Sequence, residues 1–269
     1  MLAPGFLDLI REARRLGFPF GMVSNGSLIT PQAAAGLAAS GMGTISLSLD
    51  APPDLNDQLR GRGATHAVER AIRQLREAEY AGRIEVITTV TRPVVAHLDR
   101  LRRYLARLRV REWRLAPVIP IGRAARRPDL LPDREDLRVV LEYVRRGRAD
   151  GCLPIPEFGE ECYLGRDYES EVRPHRFQCR AGITVAGILA DGRIAACPEL
   201  GDAFAQGDVR HECLRDVWNE RYGVFRNREW TRRGPCASCD AFGPCQGGSL
   251  HLYPTPADEP LRCLYRMLR

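Results

Sequence analysis

Hydrophobic residues in the first half of the chain recur at two spacings, one helical and one typical of buried strands. Phe6, Leu9 and Ile10 begin a three-to-four-residue repeat, whereas Ile84 to Val90 is a β-branched run. Thr30-Pro31 has the capping hydroxyl and first-turn proline of a helix start. The spacings predict helices over 5–16, 66–80, 97–108 and 133–147, and strands over 20–24, 45–50, 84–90 and 113–119.

Strands that alternate with helices indicate βαβ units and a parallel sheet, open or closed. Ligands in such folds bind at the carboxyl ends of the strands. Those ends carry Ser24-Asn25-Gly26, then Ser48 and Asp50, then Thr88, and finally Pro120-Ile121-Gly122. The same residue types also form turns, so composition alone leaves a binding role and a turn role open.

The pattern changes after an Arg/Pro-rich connector at 123–132. Residues 151–178 are irregular, and 184–196 read as a hairpin that turns at Asp191-Gly192. A helix is predicted near 213–226. The sequence thus predicts a first domain at 1–132, a helical and irregular connector at 133–170, and a second domain at 171–269.

Charge and composition exclude several classes of protein. The 269 residues carry a net charge of +6, yet all 40 basic residues are arginine and they alternate with 34 acids. This dispersed pattern argues against a nucleic-acid-binding patch. No run approaches the roughly 20 apolar residues of a membrane span, and the residues after Met1 lack the features of a signal peptide. A cytoplasmic protein is expected.

Nine cysteines, all at or after position 152, dominate the candidate chemistry. In a cytoplasmic protein they favour metal or cluster ligation over disulfides. Cys236-x2-Cys239-x5-Cys245, followed by Cys263, supplies thiolates at ligand spacing, with the turn formers Gly-Pro before and within the run. Four thiolates suit tetrahedral zinc or an iron–sulfur cluster, and spacing alone does not decide between them.

A second pair of thiols flanks the predicted hairpin. Its two ends bring Cys179 and Cys197 towards each other, and Cys162 and His251 are candidates to complete a site there. His251 alone also fits a solvated loop histidine. Two cysteines lack a partner at ligand spacing: Cys152 and Cys213.

The cysteine pattern resembles the SPASM domain of radical SAM maturases. The residues that carry it are Cys179, Gly192-x4-Cys197, Cys236-x2-Cys239-x5-Cys245 and Cys263. Upstream, Val23-Ser24-Asn25-Gly26 and Ser46-Leu47-Ser48-Leu49-Asp50 are similar to the third and fourth strands of the radical SAM barrel. The resemblance covers essentially the whole chain. It implies an α/β fold with a truncated partial (β/α) barrel, followed by an irregular, Cys-rich α+β iron–sulfur domain.

A narrower resemblance concerns one SPASM subfamily, whose members are associated with small lipoprotein partners. It rests on 177–182, 189–192, 196–198 and the run Cys245-Gln246-Gly247-Gly248-x2-His251.

The resemblance also assigns residues to cofactors. It implies one [4Fe–4S] cluster on Cys236, Cys239, Cys245 and Cys263, with sulfurs within about 7 Å of one another. It implies a second cluster on Cys179 and Cys197, with Cys162 and an open or His251-filled position, because Ser249 stands where the family has a further cysteine. The residues implied to contact S-adenosylmethionine are Ser48 and Arg60, with Asn25, Asp50 and Ile121.

A larger departure is the absence of the CxxxCxxC motif that holds the cluster for cleavage of S-adenosylmethionine. The family alignment would place that motif before Met1, so a truncated chain or a misplaced start is expected. An open sheet without the barrel's first strands is expected to be of low stability without a partner, because it exposes an edge and an apolar face.

Three functions stay open. The first is a maturase that modifies a peptide or small protein through a 5′-deoxyadenosyl radical, with a reductant such as flavodoxin or ferredoxin; as given, this chain would not cleave S-adenosylmethionine. The second is a non-catalytic iron–sulfur or electron-transfer module, and the third is a zinc-knuckle protein.

Overall fold

The computed structural model describes residues 4–159 and 162–269, which form two compact units. The first unit contains the described residues up to Val118 together with Asp129–Gly159. The second contains Ile119–Pro128 and the described residues from 162 to Arg269. The expected connector 133–170 contains a helix, Arg134–Ala149, and a strand, Ile155–Phe158, that both belong to the first unit. Its described residues from 162 onwards belong to the second unit.

The first unit is built on a parallel sheet of five strands whose spatial order is the chain order. The strands are β1 Gly21–Ser24, β2 Thr44–Ser48, β3 Arg83–Val90, β4 Glu112–Pro117 and β5 Ile155–Phe158. The helices are α1 Phe6–Arg15, α2 Pro31–Ser40, α3 Pro53–Arg60, α4 Ala64–Glu77, α5 Arg92–Val95, α6 Leu98–Arg107 and α7 Arg134–Ala149. The expected α/β class and its four predicted strands are thus present.

The predicted helix start at Thr30-Pro31 is confirmed in atomic detail. Thr30 Oγ1 accepts a hydrogen bond from the N–H of Ala33, 3.1 Å away, and Pro31 occupies the first helical turn. The elements that the sequence did not predict include β5 and α3. Pro154 and Pro156 are not a strand signal, yet Glu157 and Phe158 of β5 pair with β4. Residues 53–60, which form α3, are mostly polar and give no clear helical pattern of apolar residues.

The two faces of this sheet differ in polarity. One face presents Ile45, Leu47, Val86 and Leu115, which are fully buried. The strand register places other, polar residues on the opposite face, namely Ser46, Glu85, Arg114 and Glu157. β1 is an edge strand, and its Val23 side chain is 68% exposed.

The second unit contains a small antiparallel sheet and short helices. Its strands are β6 Gly187–Ile188, β7 Arg193–Ala195 and β8 Gly207–Asp208. Its helices are α8 Leu214–Glu220, α9 Gly223–Arg226, α10 Phe242–Cys245 and α11 Leu264–Leu268. The predicted hairpin is confirmed, and Gly192 in its turn has a φ of 89°, which favours glycine. The helix expected over 213–226 is interrupted after Glu220 and resumes as α9.

Aromatic side chains fill the core of the second unit. Phe204, Tyr222 and Phe225 are fully buried and pack with Leu250 and Leu252. Within the described ranges, no helix combines the length and hydropathy needed to cross a bilayer.

Candidate functional site

An ion pair organises the carboxyl end of β2 in the first unit. Arg60 Nε donates to Asp50 Oδ2 at 2.5 Å, and Arg60 Nη2 donates to Asp50 Oδ1 at 3.1 Å. Asp50 Oδ1 also accepts from the N–H of Thr89, on β3, at 2.7 Å. Asn56 Oδ1 accepts from the N–H of Asp50 at 2.9 Å. The carboxylate therefore joins the ends of two strands and α3, and it holds Arg60 in a fixed orientation.

The other residues implied to contact S-adenosylmethionine lie on three separate segments of the chain. Ser48 is the last residue of β2, two positions before Asp50. Asn25 Oδ1 accepts from the N–H of Ser27 at 3.0 Å and from its hydroxyl at 2.8 Å, so Asn25 has the turn role that its composition allowed. Ile121 lies in the second unit. The structure thus brings Asp50 and Arg60 into direct contact.

Four cysteines of the second unit influence one another electrostatically. Burial is the main cause that raises the pKa of Cys245 to about 11, and the charges of Cys263, Cys236 and Cys239 contribute to this rise. Burial is likewise the main cause that raises the pKa of Cys236 and Cys263, each with a contribution from another of the four. Among the described residues, no three His, Cys, Asp or Glu side chains are placed to hold a single metal ion.

The backbone between the third and fourth of these cysteines is tightly constrained. Gly247 has a φ of 80°, and a Cβ on it would lie 2.4 Å from Thr231 Oγ1. Tyr253 Oη donates to the carbonyl of Gly247 at 2.8 Å. The Tyr253 hydroxyl also opposes the rise in the pKa of the Cys236 thiol. The glycine turn and the tyrosine together fix the loop that follows Cys245.

A cavity of about 460 Å³ in the second unit has Cys179 and Cys245 in its wall. Three arginines also line it: Arg176, Arg226 and Arg228. Arg228 is buried and donates to the carbonyls of Cys179 at 2.9 Å and Ala181 at 3.1 Å. The cavity therefore combines thiols from both predicted ligand groups with positive charge.

The hairpin thiols Cys179 and Cys197 also interact. Burial raises the pKa of Cys197, and smaller contributions in the same direction come from the charges of Glu199 and Cys179. Cys162 is buried, and its carbonyl accepts from Arg173 Nη2 at 3.4 Å. Cys152, read from the sequence as a bystander, lies in the first unit.

His251 is largely enclosed and paired, unlike a solvated loop histidine. Its side chain is 11% exposed, and Nδ1 lies 3.2 Å from Glu199 Oε2. Its Nε2 atom is buried and has no hydrogen-bond partner among the described residues. Sequence reasoning missed Glu199, although its position two residues after Cys197 was an available signal.

Residues 179–240 match the sequence profile of the SPASM family, described as an iron–sulfur cluster-binding domain. This match favours an iron–sulfur cluster over zinc as the cofactor of the second unit. The matched range includes four of the predicted ligands, Cys179, Cys197, Cys236 and Cys239, whereas Cys245 and Cys263 lie beyond it.

The chain is also similar to curated proteins of greater length. It is 31% identical to mycofactocin maturase MftC of Mycobacterium tuberculosis, in an alignment covering 92% of this chain and 63% of that protein. It is 26% identical to AdoMet-dependent heme synthase of Oleidesulfovibrio alaskensis, covering 99% of this chain and 72% of that protein. The chain thus spans about 63% of the length of the mycofactocin maturase.

Two solved structures share the fold. SuiB of Streptococcus suis, bound to its precursor peptide SuiA, superposes with a TM-score of 0.71 at 20% identity, covering 94% of this chain and 60% of that one. The protein anSMEcpe, with bound AdoMet and the Kp18Cys peptide, gives 0.70 at 15% identity, covering 97% and 76%. These neighbours confirm the fold class that the resemblance implied, a partial barrel followed by a SPASM domain.

Proposed function

We propose that this chain, which resembles the radical SAM/SPASM maturases and carries a SPASM domain, serves in the modification of a peptide or small protein. The observation that carries the proposal is the match of residues 179–240 to an iron–sulfur cluster-binding family. The mutual influence of the charges of Cys236, Cys239, Cys245 and Cys263 supports it. The similarity to mycofactocin maturase supports a peptide as the substrate class. The working location would be the cytoplasm.

The donor set fits iron–sulfur clusters. Thiolates are the ligands that such clusters prefer, and the ligand sulfurs surround a cube about 7 Å across. The thiols Cys236, Cys239, Cys245 and Cys263 would hold one [4Fe–4S] cluster. Cys179 and Cys197, with Cys162, would hold a second. When bound, these clusters supply one-electron transfer.

The protein residues around the thiols have their own tasks. Burial of Cys245 disfavours its free thiolate, so this thiol is inert until a cation compensates its charge. The arginines that line the cavity lie where they would offset the negative charge of thiolate-ligated clusters. Arg228 also fixes the backbone of Cys179 through its carbonyl.

Ser48 and Arg60 would position S-adenosylmethionine at the carboxyl end of β2 in the first unit. A second candidate function is an electron-transfer module that lacks this binding step. Equilibrium dialysis with labelled S-adenosylmethionine separates the two. The maturase reading expects measurable binding that weakens at least about threefold in Ser48→Val, a loss of roughly one hydrogen bond. Absence of binding favours the electron-transfer module.

The proposal is tested by anaerobic reconstitution with iron and sulfide, followed by metal analysis and absorption near 400 nm. Cys239→Ala is expected to lose one cluster, about four irons per chain. Cys213→Ala, which removes an exposed thiol without a ligand partner, is the matched control and is expected to keep its iron. Bound zinc without the absorption band would favour the zinc-knuckle protein and contradict the proposal.

A further expectation concerns the cleavage of S-adenosylmethionine, for which residues 1–269 would have to supply the cysteines that hold the cleaving cluster. These residues contain no cysteine before Cys152. Cys152 lies in the first unit, and the other eight cysteines lie in the second unit. The reconstituted, dithionite-reduced chain is therefore expected to form no 5′-deoxyadenosine. Formation above the level of a cysteine-free control would contradict this expectation.

A further inference from the structure

The two ring nitrogens of His251 have different surroundings. Its ring is almost fully enclosed, and Nδ1 faces the Glu199 carboxylate at 3.2 Å. The opposite nitrogen, Nε2, is buried and makes no hydrogen bond with the described residues. Buried polar atoms nearly always have a partner, so an exception requires a reason such as an ion that binds there.

The carboxylate decides which nitrogen is available. Glu199 accepts a hydrogen bond from the Nδ1–H group of a neutral His251 imidazole. The lone pair of the ring is then on Nε2. A carboxylate behind a histidine is the usual arrangement at metal sites, where it fixes the ring's orientation and tautomer. The His251–Glu199 pair therefore presents Nε2 as a ready ligand.

The pair lies beside the hairpin thiols. Glu199 is two residues after Cys197, and its charge acts on that thiol. Leu250 and Leu252, which flank His251 in the sequence, pack in the same core cluster as Cys179 and Cys197. Ser249, the residue that stands in place of a further thiolate, is two positions before His251.

We infer that His251 Nε2 is an iron ligand of the cluster held by Cys179 and Cys197, and that Glu199 positions it. This inference rests on the proposed function, because it requires that the second unit binds a cluster there. The fourth position of that cluster is then filled by a neutral nitrogen instead of a thiolate. Exchange of thiolate for imidazole raises the reduction potential of an iron–sulfur centre. The hairpin cluster would then have a higher reduction potential than the same cluster with a fourth thiolate.

The test uses the whole chain, reconstituted anaerobically after growth with ¹⁵N-histidine, and pulsed EPR of the reduced protein. The expected result is a strong coupling to a histidine nitrogen that disappears in His251→Ala. The matched control is His211→Ala, which removes an exposed histidine of the same unit and is expected to keep the coupling. Glu199→Gln is expected to keep the coupling but alter its magnitude.

A second variant tests the ligand exchange itself. His251→Cys is expected to replace the nitrogen ligand by a thiolate, to show no nitrogen coupling, and to have a lower midpoint potential than the wild type. The inference is overturned if the wild-type clusters show no strong histidine coupling, or if the coupling survives in His251→Ala. Failure of the chain to bind any iron and sulfide would instead contradict the proposed function.

Discussion

Arg60 donates two hydrogen bonds to the Asp50 carboxylate, from Nε to Oδ2 at 2.5 Å and from Nη2 to Oδ1 at 3.1 Å. The Asp50 side chain is 10% exposed and that of Arg60 is 28% exposed. A residue that would contact S-adenosylmethionine is thus oriented by a partner from its own unit. Its geometry is fixed before any ligand arrives, and this lowers the entropy cost of binding.

Asp50→Asn is expected to lower the free energy of unfolding by about 2 kcal/mol, because the partly buried Arg60 guanidinium loses its counter-charge. Urea unfolding followed by circular dichroism measures the change. Asp8→Asn removes an exposed pair with Arg11 and serves as the control, with no measurable change expected. Equal losses in the two variants would show that the Asp50–Arg60 pair is not stabilising.

Thr88 links two buried groups of the first unit. Its hydroxyl donates to the Leu49 carbonyl at 2.6 Å and accepts from Trp113 Nε1 at 2.8 Å. Thr88→Val preserves shape but leaves both partners unsatisfied, so we expect a loss of about 2 kcal/mol in unfolding free energy. Thr88→Ser keeps the hydroxyl and is expected to lose less than half as much. An unchanged stability in Thr88→Val would mean that both groups find other partners.

Glu157 predicts a pH dependence of stability. Burial raises its pKa above 4.5, although nearby arginines oppose the shift. The folded state then binds this proton more tightly than the unfolded state, so Glu157 costs stability as the pH rises from about 4.5 through its folded pKa. Glu157→Gln should be more stable than the wild type at pH 7, and the difference should vanish towards pH 4.

Thermal unfolding of both proteins from pH 4 to 8 measures this difference. The exposed Glu77→Gln variant is the isosteric control, and its stability difference from the wild type should not vary with pH. A Glu157→Gln curve parallel to that of the wild type throughout would contradict the expected shift.

Within the described ranges β1 pairs only with β2, and the open outer edge predicts self-association. Val23 is 68% exposed on this strand, and Leu9, Leu16 and Phe18 are also exposed. Unpaired edges with apolar side chains associate, and a lysine there opposes association. Val23→Lys is expected to lower the concentration-dependent mass seen by static light scattering. Val139→Lys, which adds the same charge to an exposed position of α7, should have a smaller effect.

Sequence patterns predicted the elements whose signals are local. Thr30-Pro31 started α2, and Asp191-Gly192 turned the hairpin, because capping and turn geometry depend on neighbouring residues alone. β5 was missed because Pro156 within it and Pro154 just before it are compatible with an edge strand but are not a strand signal. The break between Glu220 and Gly223 lies inside an otherwise helical pattern.

Contacts between distant residues were beyond the reach of these patterns. The spacing of the cysteines indicated a ligand set, but it did not reveal that Glu199 faces His251 across about fifty positions. The Asp50–Arg60 contact likewise depends on how α3 returns towards the end of β2. Such pairs become visible only when the fold closes the distance.

Each strand of the parallel sheet pairs with the strand made just before it. During synthesis, every emerging helix and strand therefore meets an edge that is already exposed outside the ribosome. No strand must wait for a distant later segment before it can add to that sheet. The sheet would thus form in the order of translation. Its last strand, which ends at Phe158, would be added before the cysteines of the second unit have been made.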